Sequence, residues 1–172
     1  ILEAAQFTKD KNRKLVVMGC LSERYSTELK KEIPEVDAVM GTTQLDSIVD
    51  VCEQLPQPRI DNRYYLYNEK TPRLLTTPSY TAYVKIAEGC DRPCSFCVIP
   101  KIRGTHRSRP LTSILNEARF LAASGIKEIV LISQETTHYG VDLGMHNGLS
   151  MLLRELGSVT GLQWIRFLYA FP

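Results

Sequence analysis

Thr81-Ala82-Tyr83-Val84-Lys85-Ile86-Ala87-Glu88-Gly89-Cys90-Asp91-Arg92-Pro93-Cys94-Ser95-Phe96-Cys97 joins a strand-like apolar run to three cysteines at CxxxCxxC spacing. The run Thr81 to Ala87 is rich in the residues that strands favour, and Gly89 then ends it. Iron–sulfur clusters usually take four protein thiolates. Three at this spacing suit a four-iron cubane with one iron left open to another ligand. A structural zinc site wants four closed ligands and would have to borrow a distant Cys20, Cys52 or His106. Three merely buried thiols are poor core residues in so polar a setting of Asp91, Arg92 and Pro93.

Beyond the cysteines the pattern continues in strand and helix steps. Leu111 to Ala123 reads as a helix ending at Gly125, Lys127 to Ser133 as a strand, Leu149 to Leu156 as a helix and Leu162 to Tyr169 as a strand. These are three βα steps of a parallel barrel, interrupted at the third strand, and such barrels carry their active sites on loops beyond the C-terminal strand ends. The cysteine loop stands at such a position. So does Ser133-Gln134-Glu135-Thr136-Thr137, whose polar residues end the second strand and favour cofactor contacts at the barrel mouth.

Upstream, Ile1 to about Thr8 has helical spacing, and Lys14 to Gly19 reads as a buried parallel strand. Glu23 to Ile33 reads as a helix stopped by Pro34, and Val36 to Met40 as a second strand. A further helix has Thr42 or Thr43 as N-cap and Leu45, Ile48, Val49 and Cys52 as its apolar face. This alternation predicts a parallel sheet covered by helices. Pro56, Pro58, Pro72 and Pro78 mark a linker holding one short strand at Tyr64 to Tyr67, so the chain divides into residues 1–55, a linker 56–79, and residues 80–172.

The 172 residues carry 21 basic against 19 acidic side chains, a balance that gives no overall case for a nucleic-acid or membrane partner. Locally, Arg92, Lys101, Arg103, Arg107 and Arg109 form a positive segment without an acid up to Pro110, suited to binding a carboxylate or facing an acidic partner. His106 and His138 fit a surface as well as a ligand role. Five cysteines, three of them bunched within eight residues, argue against a secreted disulfide framework and for a reducing, cytoplasmic setting. No apolar run is long enough to span a membrane. Phe96 suits either core packing or stacking on a cofactor's base. Cys20 ends the first strand, where open α/β sheets bind ligands, although a lone cysteine there is more often a small apolar residue. Cys52 reads as core.

The loop Cys90-Asp91-Arg92-Pro93-Cys94-Ser95-Phe96-Cys97 resembles the cluster loop of radical S-adenosylmethionine (SAM) enzymes. Gly19-Cys20-Leu21-Ser22-Glu23-Arg24-Tyr25, Ala87 to Cys90, Ile102-Arg103-Gly104, Arg107-Ser108-Arg109-Pro110 and Tyr169-Ala170-Phe171-Pro172 are similar to the methylthiotransferases within that superfamily. The resemblance covers nearly the whole chain. It implies an α/β fold: the C-terminal part of a flavodoxin-like methylthiotransferase N-domain, then the first half of a radical SAM partial (β/α) barrel. It implies two 4Fe-4S clusters in a longer parent, one on Cys90, Cys94 and Cys97 and one for which Cys20 matches the third of three N-terminal cysteines. Cys52 matches neither of the others, which the family pattern places upstream of Ile1, and a C-terminal substrate-binding domain is expected beyond Pro172. As a piece, the chain is expected to be inactive alone.

The same resemblance gives Phe96 to the SAM adenine and Gln134 to SAM, with electrons coming from a donor protein. An electron entering SAM releases a 5′-deoxyadenosyl radical, which removes hydrogen from an unactivated carbon. A methylthio group, methylated by a second SAM, is then inserted. Leu21 to Tyr25, Arg107 to Arg109 and the Tyr169 to Pro172 ending are most like the branch that modifies the β-carbon of an aspartate in small-ribosomal-subunit protein twelve. The alternatives are the sister branch that methylthiolates an adenosine of transfer RNA, and a non-enzymatic zinc module holding nucleic acid by phosphate contacts.

Overall fold

A computed structural model describes residues 1–9, 13–53 and 65–171, which divide into the units Ile1–Tyr65 and Leu66–Pro172. The first unit runs α1 (Leu2–Ala5), a 3-10 turn (Gln6–Lys9), β1 (Val16–Met18), α2 (Cys20–Arg24), α3 (Ser26–Glu32), β2 (Ala38–Met40), a second 3-10 turn (Leu45–Ser47) and α4 (Ile48–Glu53). β1 and β2 pair in parallel, Val16 opposite Ala38 and Met18 opposite Met40. Both faces are covered, which is why the strands are apolar throughout rather than alternating. Val17, Leu29, Val36 and Val39 pack together on one side, and Ala38, Met40 and Val51 on the other.

Two expectations are corrected here. The helix read over Glu23 to Ile33 is two helices, broken at Tyr25 (φ −128°, ψ 36°). α2 is anchored to the exit of β2, since Ser22 Oγ donates to the Met40 carbonyl and Glu23 accepts the Thr42 N–H. α3 instead lays Leu29 into the core, and the chain turns between the two anchors. Ile33 takes the extended geometry required before Pro34. α4 presents Ile48 and Val51 inward, while Leu45, Val49 and Cys52 are exposed. Neither threonine caps it. The Gln44 side chain accepts the Gly41 N–H, and the 3-10 turn that follows, with three residues per turn, changes the phase of the helix.

The strand expected at Tyr64 to Tyr67 is not formed by Tyr65, Leu66 and Tyr67, and Tyr64 lies outside the described residues, as do Pro56, Pro58 and the boundary at residue 55. Residues 66–79 have no helix or strand but are fastened to the second unit. Arg73 donates to the Tyr83 carbonyl and to Glu117, and Ser113 Oγ donates to Glu69.

The second unit runs β3 (Thr81–Lys85), β4 (Ala87–Glu88), α5 (Ile99–Arg103), β5 (Arg107–Ser108), α6 (Leu111–Ala123), β6 (Glu128–Ile132), 3-10 turns at Thr136–His138 and Val141–Leu143, α7 (Gly148–Gly157) and β7 (Trp164–Phe167). β3, β6 and β7 form a parallel sheet in that order, with α6 and α7 as crossovers. Ala82, Val84, Ile129 and Leu131 point to the helices and meet Ile114, Ala118, Leu121, Leu152 and Leu156 in one core. Fully burying each of the larger aliphatics contributes roughly 1.5–3 kcal/mol. The fold is therefore mixed α/β with parallel sheets. On the opposite face, Tyr83 and Trp164 are exposed.

Candidate metal centre

Beyond β3 the chain folds back on itself to close the cysteine loop. The Ile86 carbonyl accepts the Arg109 N–H at 2.8 Å, and β4 pairs antiparallel with β5, Ala87 opposite Ser108 and Glu88 opposite Arg107. Gly89 (φ +81°) lies where a Cβ would stand 2.1 Å from the Thr105 carbonyl oxygen, a close approach that only glycine allows. The Cys90 N–H donates to Gly104 (3.2 Å) and the His106 N–H to Asp91 Oδ1 (3.0 Å). Glu88 is buried, which works against its charge. Lys85 and Arg103 (2.9 Å) outweigh this and hold the carboxyl below its usual range.

Cys90, Cys94 and Cys97 line one cavity of about 250 Å³, together with Arg92, Ile99, Gln134, Glu135, Tyr169, Ala170 and Phe171. Its walls come from the segments after β3, β6 and β7. Cys90 is buried and the other two are half-buried. The Arg92 N–H lies 3.5 Å from Cys90 Sγ as a donor, and the Cys97 N–H donates to Cys94. Among the described residues no group of three or more His, Cys, Asp and Glu is placed to hold a metal ion, so His106 does not complete the four-ligand zinc set. A cluster asks for something else. Each thiolate of a cubane takes its own iron, so the sulfurs surround a volume instead of a point, and three thiols lining one cavity fit that demand.

Gln134 Oε1 accepts the Gly89 N–H at 2.8 Å, tying the exit of β6 to the start of the loop. Glu135 pairs with Arg92 (3.0 Å) and accepts the Thr137 N–H. Burial opposes its ionisation, but the bonds from Thr137 and Arg92 prevail and keep it below the ordinary carboxylate range. The Arg92 guanidinium also stacks over Phe171 at 4.5 Å. Phe96 is 91% exposed and does not line the cavity, so core packing is ruled out for it.

The positive segment is largely neutralised from within. Arg92, Arg103 and Arg109 pair with Glu135, Glu88 and Glu117, and Arg109 is fully buried. The carboxylates expected for these guanidinium groups are thus the chain's own. His106 is buried as well, with Nε2 at 3.2 Å from Ser108 Oγ and its ring edge-on to His138. Burial pushes its pKa below the usual value against the pull of Asp142. Neither histidine lines the cavity. Cys20 lies in the first unit at the end of β1, as the half-buried first residue of α2. The sequence marks Arg92 as a carboxylate binder and Glu135 as a residue at the barrel mouth, but it gives neither their pairing with each other nor the places of Tyr169 and Phe171 in the cavity wall. A charged residue inside the cysteine spacing and another at the end of β6 were the available signals.

The model of the radical SAM superfamily matches residues 84–157, which contain the cysteine loop, α6, β6 and α7. The ribosomal protein uS12 methylthiotransferase RimO of Solibacter usitatus is 53% identical over 175 residues, covering all of this chain and 38% of the relative. That of Desulforamulus reducens is 49% identical over 178 residues, covering all of this chain and 40% of the relative. The chain thus spans about two fifths of the length of the curated relatives it matches. A solved structure of the radical SAM methyltransferase TsrM from Kitasatospora setae, with cobalamin and a [4Fe-4S] cluster bound, is 28% identical over 44% of this chain and 13% of that one. Its TM-score of 0.35 is too low to argue from. Matched along its whole length at these identities, with the cysteine loop inside the superfamily match, the chain belongs to the radical SAM methylthiotransferase family, and within it is RimO-like.

Proposed function

We propose that this chain is the part of a ribosomal protein uS12 methylthiotransferase that holds the radical SAM cluster, with Cys90, Cys94 and Cys97 as its ligands. The observation that carries the reading is the shared cavity. Three thiols from one loop face the same space as Gln134 and Glu135 from the end of the next strand. When bound, a reduced cluster with one open iron supplies an electron to the sulfonium of SAM, and through it the power to take hydrogen from an unactivated carbon. The chain's own residues bind and orient. Gln134 faces SAM from the exit of β6, Phe96 stands on the loop to meet an adenine that extends out of the cavity, and Arg92 and Phe171 line the cavity beside the thiols.

In the same reading, residues 1–55 are the latter part of a flavodoxin-like domain, 56–79 a connection and 80–172 the first half of a partial barrel. Parallel strand pairing in both units supports an α/β fold for each, and the connection is fastened to the second unit over residues 66–79. Cys20 contributes to a second 4Fe-4S cluster in the longer protein, a donor protein supplies electrons, and the reaction is cytoplasmic. The substrate is an aspartate β-carbon of uS12. Mass spectrometry of ribosomal protein and transfer RNA, from cells with and without the gene, tests the substrate. The modification should vanish from uS12 and persist in transfer RNA. Loss from transfer RNA alone would move the assignment to the sister enzyme.

A further inference from the structure

Arg92 stands inside the cysteine spacing, yet its side chain reaches away to the ends of the other two strands of the sheet. Its Nε donates to Glu135 at 3.0 Å, and its guanidinium covers the Phe171 ring at 4.5 Å. The Glu135 side chain is only 3% exposed. A carboxylate so enclosed costs several kcal/mol unless it is paired, and Arg92 supplies the compensating charge. Both side chains line the cavity that the three thiols line. The backbone N–H of Arg92 also points at Cys90 Sγ (3.5 Å). Net charge and hydrogen bonds to sulfur are the levers by which a protein sets the reduction potential of an iron–sulfur group. At a carboxylate so enclosed, an unbalanced charge acts at several times its strength in water.

We propose that the Arg92–Glu135 pair sets the electron affinity of the iron–sulfur group on Cys90, Cys94 and Cys97, with Arg92 as a positioning residue that cancels the Glu135 charge. The inference rests on the cluster assignment above. As a neutral pair the two residues add little to the potential. Removing the cation leaves a buried negative charge facing the cluster and makes it harder to reduce. Removing the anion leaves a positive charge and makes it easier to reduce.

The test is a dithionite titration with mediator dyes, followed by electron paramagnetic resonance, on anaerobically reconstituted protein without SAM. Arg92→Gln should shift the potential negative, Glu135→Gln should shift it positive, and the double variant should return towards the parent. Arg92→Lys, which keeps the charge but not the planar stack on Phe171, should stay near the parent. Iron and sulfide content is measured on every sample. If Arg92→Gln fails to assemble, the sign of the Glu135→Gln shift decides. Unmoved potentials, or single variants shifting in the same direction, would overturn the inference while leaving the cluster assignment in place. A parent that takes up no iron and sulfide would overturn both.

Discussion

Gly89 holds φ +81° with the Thr105 and Gly104 carbonyl oxygens occupying the space of an absent Cβ. Gly89→Ala would have to part the hairpin that closes the cysteine loop. It should cost about 1–3 kcal/mol in urea unfolding and lower iron uptake on reconstitution. Unchanged stability and iron content would contradict that role. The glycine and the cysteine spacing are local features, so a single reading of the chain finds them. Arg92 meets Glu135 across 43 residues of sequence and Phe171 across still more, and no spacing rule links them. The sequence leaves packing as the alternative for Phe96. Its exposure removes packing, because the turn between Cys94 and Cys97 projects the intervening side chains outward.

α6 and β6 were legible almost to the residue, since each combines a strong apolar period with a glycine or polar stop, and Gly125 stands at φ +98°. β4 and β5 were not. Two-residue strands have no periodicity, and their pairing depends on a return of the chain some twenty residues later. The phase of α4 was missed because a 3-10 turn replaced the expected N-cap. The same long-range logic governs Arg109. It donates to the Lys85 carbonyl, Glu117 and Ser113, and so fastens β3 to α6 directly behind the cysteine loop. Arg73 meets the same Glu117 from the segment ahead of β3. Arg109→Met removes one partner of a buried pair and should lower stability by roughly 3–5 kcal/mol, read as a lower urea midpoint with the slope unchanged. A loss under about 1 kcal/mol would show that Arg73 alone satisfies Glu117.

Over the chain as a whole, near-neutral charge is matched by pairing inside the second unit, where three of the five basic side chains from Arg92 to Arg109 meet glutamates. A phosphate-binding module would keep such groups turned to solvent. No helix among the described residues is long and apolar enough to cross a membrane. The α/β class and the parallel pairing could be read from the alternation of elements, whereas the neutralisation of the basic segment could be seen only in three dimensions. The most direct test of the account is metal analysis of the chain reconstituted anaerobically with iron and sulfide. The account predicts about four irons and four sulfides per chain, with visible absorption that bleaches on reduction, abolished by alanine at Cys90, Cys94 or Cys97 and kept in Cys52→Ser. Stoichiometric zinc, or iron uptake indifferent to those three replacements, would contradict it.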